Sequence, residues 1–136
     1  MILLIELLQE LGVEVEKHSD ISYSFKAEKV NSNYLNSNTF FDKASIIRGS
    51  VMLVGPLLSR FGIASIPKPG GDKIGRRRID THLNGLKELG ARFQYNKKNS
   101  SYEISSKKLK GKYVLLDEAS VTGTANMIMA SVLAEG

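Results

Sequence analysis

A helix followed by a glycine occurs twice in this sequence, and this repeat restricts the possible fold more than any other feature. Leu8-Gln-Glu-Leu-Gly12 precedes Val-Glu-Val, and Leu86-Lys-Glu-Leu-Gly90 precedes Ala-Arg-Phe. A glycine directly after an apolar helical run is a common helix stop. Each copy then continues into an alternation of apolar and polar residues that is typical of strands. The chain is therefore expected to repeat an α/β unit of helices and strands.

The same patterns place the remaining elements. Pro56 lies inside one apolar helical run and predicts a kink or a restart of the helix there. Residues 31–38 and 67–75 are expected to be loops. Helices are predicted over residues 2–11, 43–61, 79–89 and 122–133, and strands over residues 13–16, 21–26, 63–66, 91–95, 101–105 and 113–117.

The repeat also divides the chain. We interpret residues 1–136 as a single partial domain, with residues 1–42 as the end of one unit, 43–117 as a complete unit and 118–136 as the start of the next. The first unit in this frame lacks its opening strand and helix, and the last stops before its strands.

Composition limits the class of protein. The chain has 136 residues, of which 42% are hydrophobic, which suits one domain with a real core. It has no cysteine, which excludes disulfides and thiolate zinc sites and fits a reducing compartment. No apolar run reaches the roughly 18–20 residues of a membrane helix. We therefore expect a cytoplasmic protein with no membrane partner.

A net charge of +5 favours anionic partners, although a lysine-rich surface would give the same value. The cations are most concentrated next to a glycine-rich loop, Pro69-Gly-Gly-Asp72-Lys-Ile-Gly75-Arg-Arg77-Arg78. Glycines let backbone N–H groups approach an anion, and arginines offer forked donors that match phosphate or carboxylate. Asp72 could donate a proton there if its pKa were raised. A surface turn before a basic helix is the alternative interpretation.

The loop and its neighbours resemble the UDP-N-acetylglucosamine enolpyruvyl transferases. The pattern Pro-Gly-Gly-x-x-x-Gly-x-Arg-x-x-Asp-x-His-Leu is similar to the active-site loop of that family, and it ends here at His82-Leu83. Three further stretches carry the resemblance, namely residues 48–62, 85–91 and 116–136.

The resemblance implies a fold and a reaction. The fold would be part of an inside-out α/β barrel built from βαβαββ-type units, with helices inside and sheets outside. The reaction would transfer the enolpyruvyl group of phosphoenolpyruvate to the sugar 3-hydroxyl of UDP-N-acetylglucosamine, the first committed step of peptidoglycan precursor synthesis. Neither a cofactor nor a metal is expected. The family builds its site between two domains, so a missing domain or a complementary chain is expected, and the isolated chain should have little turnover.

The resemblance also assigns residues. Asp72 corresponds to the loop acid that donates the proton, and Arg77 to the arginine that holds the phosphate of phosphoenolpyruvate; both are candidate catalytic residues. His82 corresponds to a histidine near the closed loop, and a packing role is an equal alternative. The candidate substrate-binding residues are Arg48, Arg77, Arg78, Ile79, Asp80, Thr81, Ser120, Val121 and Thr122.

Three positions depart from the family pattern. Arg78 replaces a usual proline, Thr122 replaces a usual glycine in the turn that holds the diphosphate, and Glu118 stands where a lysine often helps to bind the nucleotide. Simpler structural roles are also open: Asp80 and Ser120 could cap helices, and Arg48 could form a surface ion pair.

Three other functions remain possible. A shikimate-type enolpyruvyl transferase shares the repeat but matches the loop and the Ser120-Val121 turn less well. A basic nucleic-acid-binding module is disfavoured because the cations do not alternate with exposed aromatic residues. A degenerate relative that binds the nucleotide sugar without turnover is the third.

Overall fold

The computed structural model describes residues 2–67 and 79–136. Three predicted site residues, Asp72, Arg77 and Arg78, lie outside this part of the chain. So does almost all of the predicted loop over residues 67–75.

The first helix and hairpin confirm the sequence prediction. Helix α1 spans Ile2–Glu10 and is followed by strands β1 (Glu14–Ser19) and β2 (Ser22–Lys26), which pair antiparallel. Gly12 has a φ of +96°, and a Cβ there would lie 2.6 Å from the Lys29 carbonyl oxygen. Only glycine meets both conditions without strain, so the repeated glycine ends the helix as predicted.

The predicted long helix over residues 43–61 is wrong, because the chain breaks there into three pieces. After a 3-10 turn at Ser32–Asn36, helix α2 spans Asn38–Ile46, a 3-10 segment spans Arg48–Leu53, and helix α3 spans Val54–Phe61. Ile47 is extended, with φ −112° and ψ 123°. Pro56 lies in the first turn of α3, where a missing N–H is tolerated, so the predicted restart is confirmed.

The second copy of the repeat forms a three-stranded sheet. Strand β3 spans Ile63–Pro67, helix α4 spans Asp80–Glu88, and strands β4 and β5 span Arg92–Asn96 and Ser101–Ser105. The strand order is β3-β5-β4, and both pairings are antiparallel. Gly90 has a φ of +95°, matching Gly12 in the first copy.

The predicted strand over residues 113–117 is wrong. This stretch pairs with no strand among the described residues, although its side chains alternate. Val114 and Leu116 pack against the core, whereas Tyr113 and Leu115 are exposed. Alternate residues of an extended segment pack against the core, so the sequence alternates as in a strand although the segment is not part of a sheet in the described part of the chain. The last helix, α5, spans Val121–Ser131 and confirms the helix predicted there.

The core lies between the helices and the inner face of the three-stranded sheet. Helices α2 and α3 pack against β3, and α5 packs against α3 and α4. The most deeply buried side chains include Leu7, Phe40, Ile66, Leu86, Ile104 and Ala130. Across the described residues, no helix has both the length and the apolar character to cross a membrane.

Candidate functional site

Three separate parts of the chain lie around His82. They are the start of the 3-10 segment at Arg48, the start of α4 at Thr81 and His82, and the turn before α5. The Thr81 hydroxyl donates to the Glu118 carboxylate at 3.1 Å. The Thr122 hydroxyl lies 3.4 Å from Nε2 of His82. The fold thus brings together several of the residues that the resemblance singled out.

The 3-10 segment that carries Arg48 is held by a buried serine. The Ser50 hydroxyl lies 2.8 Å from the carbonyl oxygens of both Ala44 and Ile47. Ser50 is 2% exposed, so these bonds form away from water, where they are strongest. They tie the segment to the end of α2 and fix the backbone beside Arg48.

Most residues at the start of helix α4 are buried. Ile79 is the N-cap residue, and it is buried in the hydrophobic core. Asp80 is the first helical residue and does not serve as the cap. Its negative charge is favourable in a first helical turn. Thr81 is 2% exposed and already donates its hydroxyl to Glu118.

Helix α5 begins with a side-chain cap. The Ser120 hydroxyl accepts from the Gly123 N–H at 3.0 Å, and the Ser120 carbonyl accepts from the Thr124 N–H at 2.9 Å. A Cβ on Gly123 would lie 3.0 Å from the Ser120 side chain, so glycine at this position leaves room for the capping serine. The N–H groups of Val121 and Thr122 belong to the first turn, where a helix supplies no acceptor of its own. They are suited to an anion.

His82 lies between these elements and is 2% exposed. Its Nδ1 lies 3.1 Å from the side-chain nitrogen of Asn126, which is fully buried on α5. Burial lowers the pKa of His82 below its ordinary value of 6.5, and the nearby Arg48 charge lowers it further; Glu118 acts in the opposite direction. His82 is therefore neutral at pH 7, with hydrogen bonds on both ring nitrogens.

An open cleft of about 420 Å³ runs beside α4. It lies between that helix and residues 113–117, and its lining includes Thr81, Asn84, Lys87 and Leu116. The cleft shares Thr81 with the junction around His82. It offers both apolar surface and polar groups next to the proposed anion position.

Sequence reasoning missed the buried polar residues that hold this junction. Asn126 bonds to residues 44, 71 and 75 positions away, and no local pattern reveals such partners. The one sequence feature that could have indicated a buried role for Asn126 is its position inside an apolar helical run. Gly55 was also missed: a Cβ there would lie 2.5 Å from Oδ1 of Asn126.

The arrangement can bind an anion but carries mixed charge. Arg48 and the two helix starts provide positive potential, whereas Glu118 and Asp80 oppose it. The two candidate catalytic residues, Asp72 and Arg77, lie outside the described residues, as does Arg78. The described part of the candidate site therefore contains candidate substrate-binding residues and His82.

Comparison with known proteins gives the family. The family model for EPSP synthase (3-phosphoshikimate 1-carboxyvinyltransferase) matches residues 2–136. The chain belongs to the EPSP synthase family. This match covers the repeat, the glycine-rich loop and the turn before α5.

Curated relatives within this family are named UDP-N-acetylglucosamine 1-carboxyvinyltransferase. The chain is 59% identical over 133 residues to the proteins from Bacteroides thetaiotaomicron and Bacteroides fragilis, covering 98% of the chain and 31% of each relative. It is 43% identical to the protein from Treponema denticola, covering 98% of the chain and 30% of that relative. The resemblance drawn from the loop is confirmed. The chain spans about a third of the length of the curated relatives it matches.

Solved structures confirm the fold. The enolpyruvyl transferase NikO from Streptomyces tendae superposes with a TM-score of 0.74 at 16% identity, covering 99% of the chain and 31% of that structure. EPSP synthase from Acinetobacter baumannii gives a TM-score of 0.65 at 17% identity, covering 99% of the chain and 30% of that structure. The mixed α/β fold expected from the resemblance is that of part of an enolpyruvyl transferase.

Proposed function

We propose that this chain forms part of an enzyme that transfers the enolpyruvyl group of phosphoenolpyruvate to the 3-hydroxyl of UDP-N-acetylglucosamine. The observation that carries the proposal is the 59% identity to relatives named for this activity. The convergence of Arg48, the start of α4 and the Ser120 turn around His82 supports it. The role in peptidoglycan precursor synthesis and the cytoplasmic location belong to the same proposal.

The residue roles follow the resemblance. Asp72 would protonate C3 of the enol as the sugar oxygen adds to C2, and Arg77 would hold the phosphate that leaves in the following elimination. Arg48 would contact substrate from the 3-10 segment. Positive groups fixed in advance stabilise the charge that builds up at phosphate and carboxylate.

The nucleotide would bind along the junction. The first turn of α5, at Ser120, Val121 and Thr122, would hold the diphosphate, chiefly through backbone N–H groups because the Ser120 hydroxyl already caps the helix. Residues 78–81 would contact the uridine, and the base would lie in the cleft of about 420 Å³ beside α4, which Thr81 lines. Glu118 and Thr122 make this chain's contacts differ from the usual family pattern.

The division into units is part of the proposal. Residues 1–42 would end one unit, 43–117 would form a complete unit, and 118–136 would begin the next. The two hairpins β1–β2 and β4–β5 support it, because each follows a helix that ends at a glycine with positive φ. Because the chain spans about a third of the length of its curated relatives, a further domain or chain would complete the site.

Calorimetric titration with UDP-N-acetylglucosamine tests the proposal. Saturable binding is expected, reduced at least about tenfold in Arg48→Ala, a change of about 1.4 kcal/mol. Arg92→Ala is the matched control, because it removes the same charge from β4, on the three-stranded sheet.

Free UDP and single-stranded DNA are the competing ligands. Binding of DNA that falls steeply with salt, with no response to the nucleotide sugar, would replace the transferase proposal by the nucleic-acid function. Equal losses in Arg48→Ala and Arg92→Ala would mean that only net charge matters.

A further inference from the structure

Asn126 occupies a position that neither the family match nor the proposed chemistry explains. Its side chain is fully buried on α5 and makes three hydrogen bonds to three different elements. The Gly55 N–H at the start of α3 donates to its oxygen at 2.7 Å. Its nitrogen donates to the Val51 carbonyl at 2.9 Å and lies 3.1 Å from Nδ1 of His82.

The orientation of this amide is fixed by two backbone groups. A backbone N–H can only donate, so Gly55 must face the amide oxygen. A carbonyl can only accept, so Val51 must face the amide nitrogen. A flipped amide would place two donors together at Gly55 and two acceptors together at Val51. Both are costly in a buried site.

The fixed amide determines the tautomer of His82. The second N–H of Asn126 points at Nδ1, which must therefore accept and carry no proton. A neutral imidazole then carries its proton on Nε2, 3.4 Å from the Thr122 hydroxyl. We propose that Asn126 is a positioning residue that fixes His82 as the neutral Nε2–H tautomer, which in turn orients the Thr122 hydroxyl in the first turn of α5.

The surroundings of His82 support the neutral form. The ring is 2% exposed, the Arg48 charge faces it from the 3-10 segment, and Glu118 faces it from the turn before α5. Burial is the strongest influence and lowers the His82 pKa. An imidazolium would bring an Nδ1–H against the Asn126 amide protons. Geometry and charge therefore favour the same state.

The consequence for binding concerns Thr122. A hydroxyl oxygen that accepts from His82 keeps its own proton for a second acceptor, and helix N-termini attract anions. The use of this donor for a substrate phosphate rests on the proposed function, whereas the tautomer itself does not. A chain that does not bind the nucleotide would therefore contradict the proposed function but not the tautomer, and a different tautomer would contradict only the inference about Asn126.

The test is NMR of the chain labelled with ¹⁵N-histidine, recorded without ligand near pH 7. The chain has two histidines, and His18→Asn identifies the signals of the other. The proposal predicts a pyridine-type shift for Nδ1 and a pyrrole-type shift for Nε2 of His82. A pyrrole-type Nδ1, or averaged shifts from exchanging tautomers, would overturn it.

Two variants separate the influence of Asn126 from that of Thr122. In Asn126→Asp a carboxylate oxygen replaces the donor, so Nδ1 should become protonated. Retention of the Nε2–H tautomer there would overturn the proposal. In Thr122→Val the tautomer should be unchanged, and a switch would show that Thr122 sets it. Since Asn126→Asp places a carboxylate beside the Val51 carbonyl and can prevent folding, the wild-type and Thr122→Val spectra decide by themselves.

Discussion

At the scale of single residues, the junction depends on small side chains that allow close approach. Gly55 lets the start of α3 touch α5, since a Cβ there would lie 2.5 Å from Oδ1 and 2.6 Å from the carbonyl oxygen of Asn126. The obstructing atoms include backbone, which cannot rotate away. This close approach lets the Gly55 N–H donate a hydrogen bond to Oδ1 of Asn126 at 2.7 Å.

Gly55→Ala is therefore expected to lower the free energy of unfolding by about 1–3 kcal/mol through overpacking. Urea denaturation measures the change. Gly49→Ala is the matched control, because nothing lies within 4 Å of a Cβ there. Equal stability of the two variants would show that α3 and α5 are not as close as described.

His82 gives the protein a pH dependence with a definite sign. Its pKa in the folded chain is below the ordinary value of 6.5, so below that pH the unfolded chain binds a proton that the folded chain does not. The contribution of neutral His82 to the free energy of unfolding is fully present above about pH 6.5 and is lost as the pH falls through the lower pKa of the folded chain. Glu10, Glu88 and Glu135 have lowered pKa values through hydrogen bonds to lysines, but their contribution is lost only below 4.5.

Chemical denaturation at several pH values between about 5 and 7 measures this effect. His82→Asn keeps an acceptor for Asn126 and should flatten the dependence in this range. His18→Asn, which replaces the exposed second histidine, is the matched control. A wild-type protein with constant stability across the range would contradict the neutral, buried state of His82.

At the scale of elements, the capping role of Ser120 can be separated from its proposed role in nucleotide binding. Its hydroxyl caps α5, so Ser120→Ala should lower the free energy of unfolding by about 1 kcal/mol, whereas Ser120→Asn retains a cap and should have almost no effect. Thermal or urea unfolding compares the two. If nucleotide binding uses the backbone of the turn, Ser120→Asn also binds as wild type; loss of affinity in a stable Ser120→Asn protein would assign the hydroxyl itself to the ligand.

Local sequence patterns predicted the elements that depend on local chemistry. Gly12 and Gly90 marked helix ends because a residue with positive φ strongly favours glycine, and both hairpins followed from alternation. The break at Ile47 was missed because apolar residues continue through the 3-10 segment at helical spacing. The start of α2 was missed because Ser37, which caps it through the Phe40 N–H, lies in a polar stretch that favoured a loop.

The elements that depend on distant partners could not be predicted in this way. Residues 113–117 alternate like a strand, but strand formation needs a neighbour that local sequence does not reveal. The same holds for the site. Arg48 and Ser120 became candidates through resemblance, whereas the contacts of Asn126 became visible only when α3, α4 and α5 were placed together.

At the scale of the whole molecule, the chain spans about a third of the length of its curated relatives. The proposed reaction must hold phosphate, carboxylate and diphosphate charges at once, which requires cations from more than the described junction. We expect the isolated chain to give no steady release of phosphate from phosphoenolpyruvate and UDP-N-acetylglucosamine. A colorimetric phosphate assay measures this, and sustained release that disappears in Asp72→Ala would contradict the expectation.

Amide NMR during titration with UDP-N-acetylglucosamine shows directly whether the junction around His82 binds the nucleotide sugar. We expect saturable shifts concentrated at residues 48–51, 79–82 and 118–124, with little change along β4 and β5. Shifts confined to the lysine-rich hairpin loop at residues 97–98 and the lysines at 107–112, and lost on adding salt, would contradict this expectation.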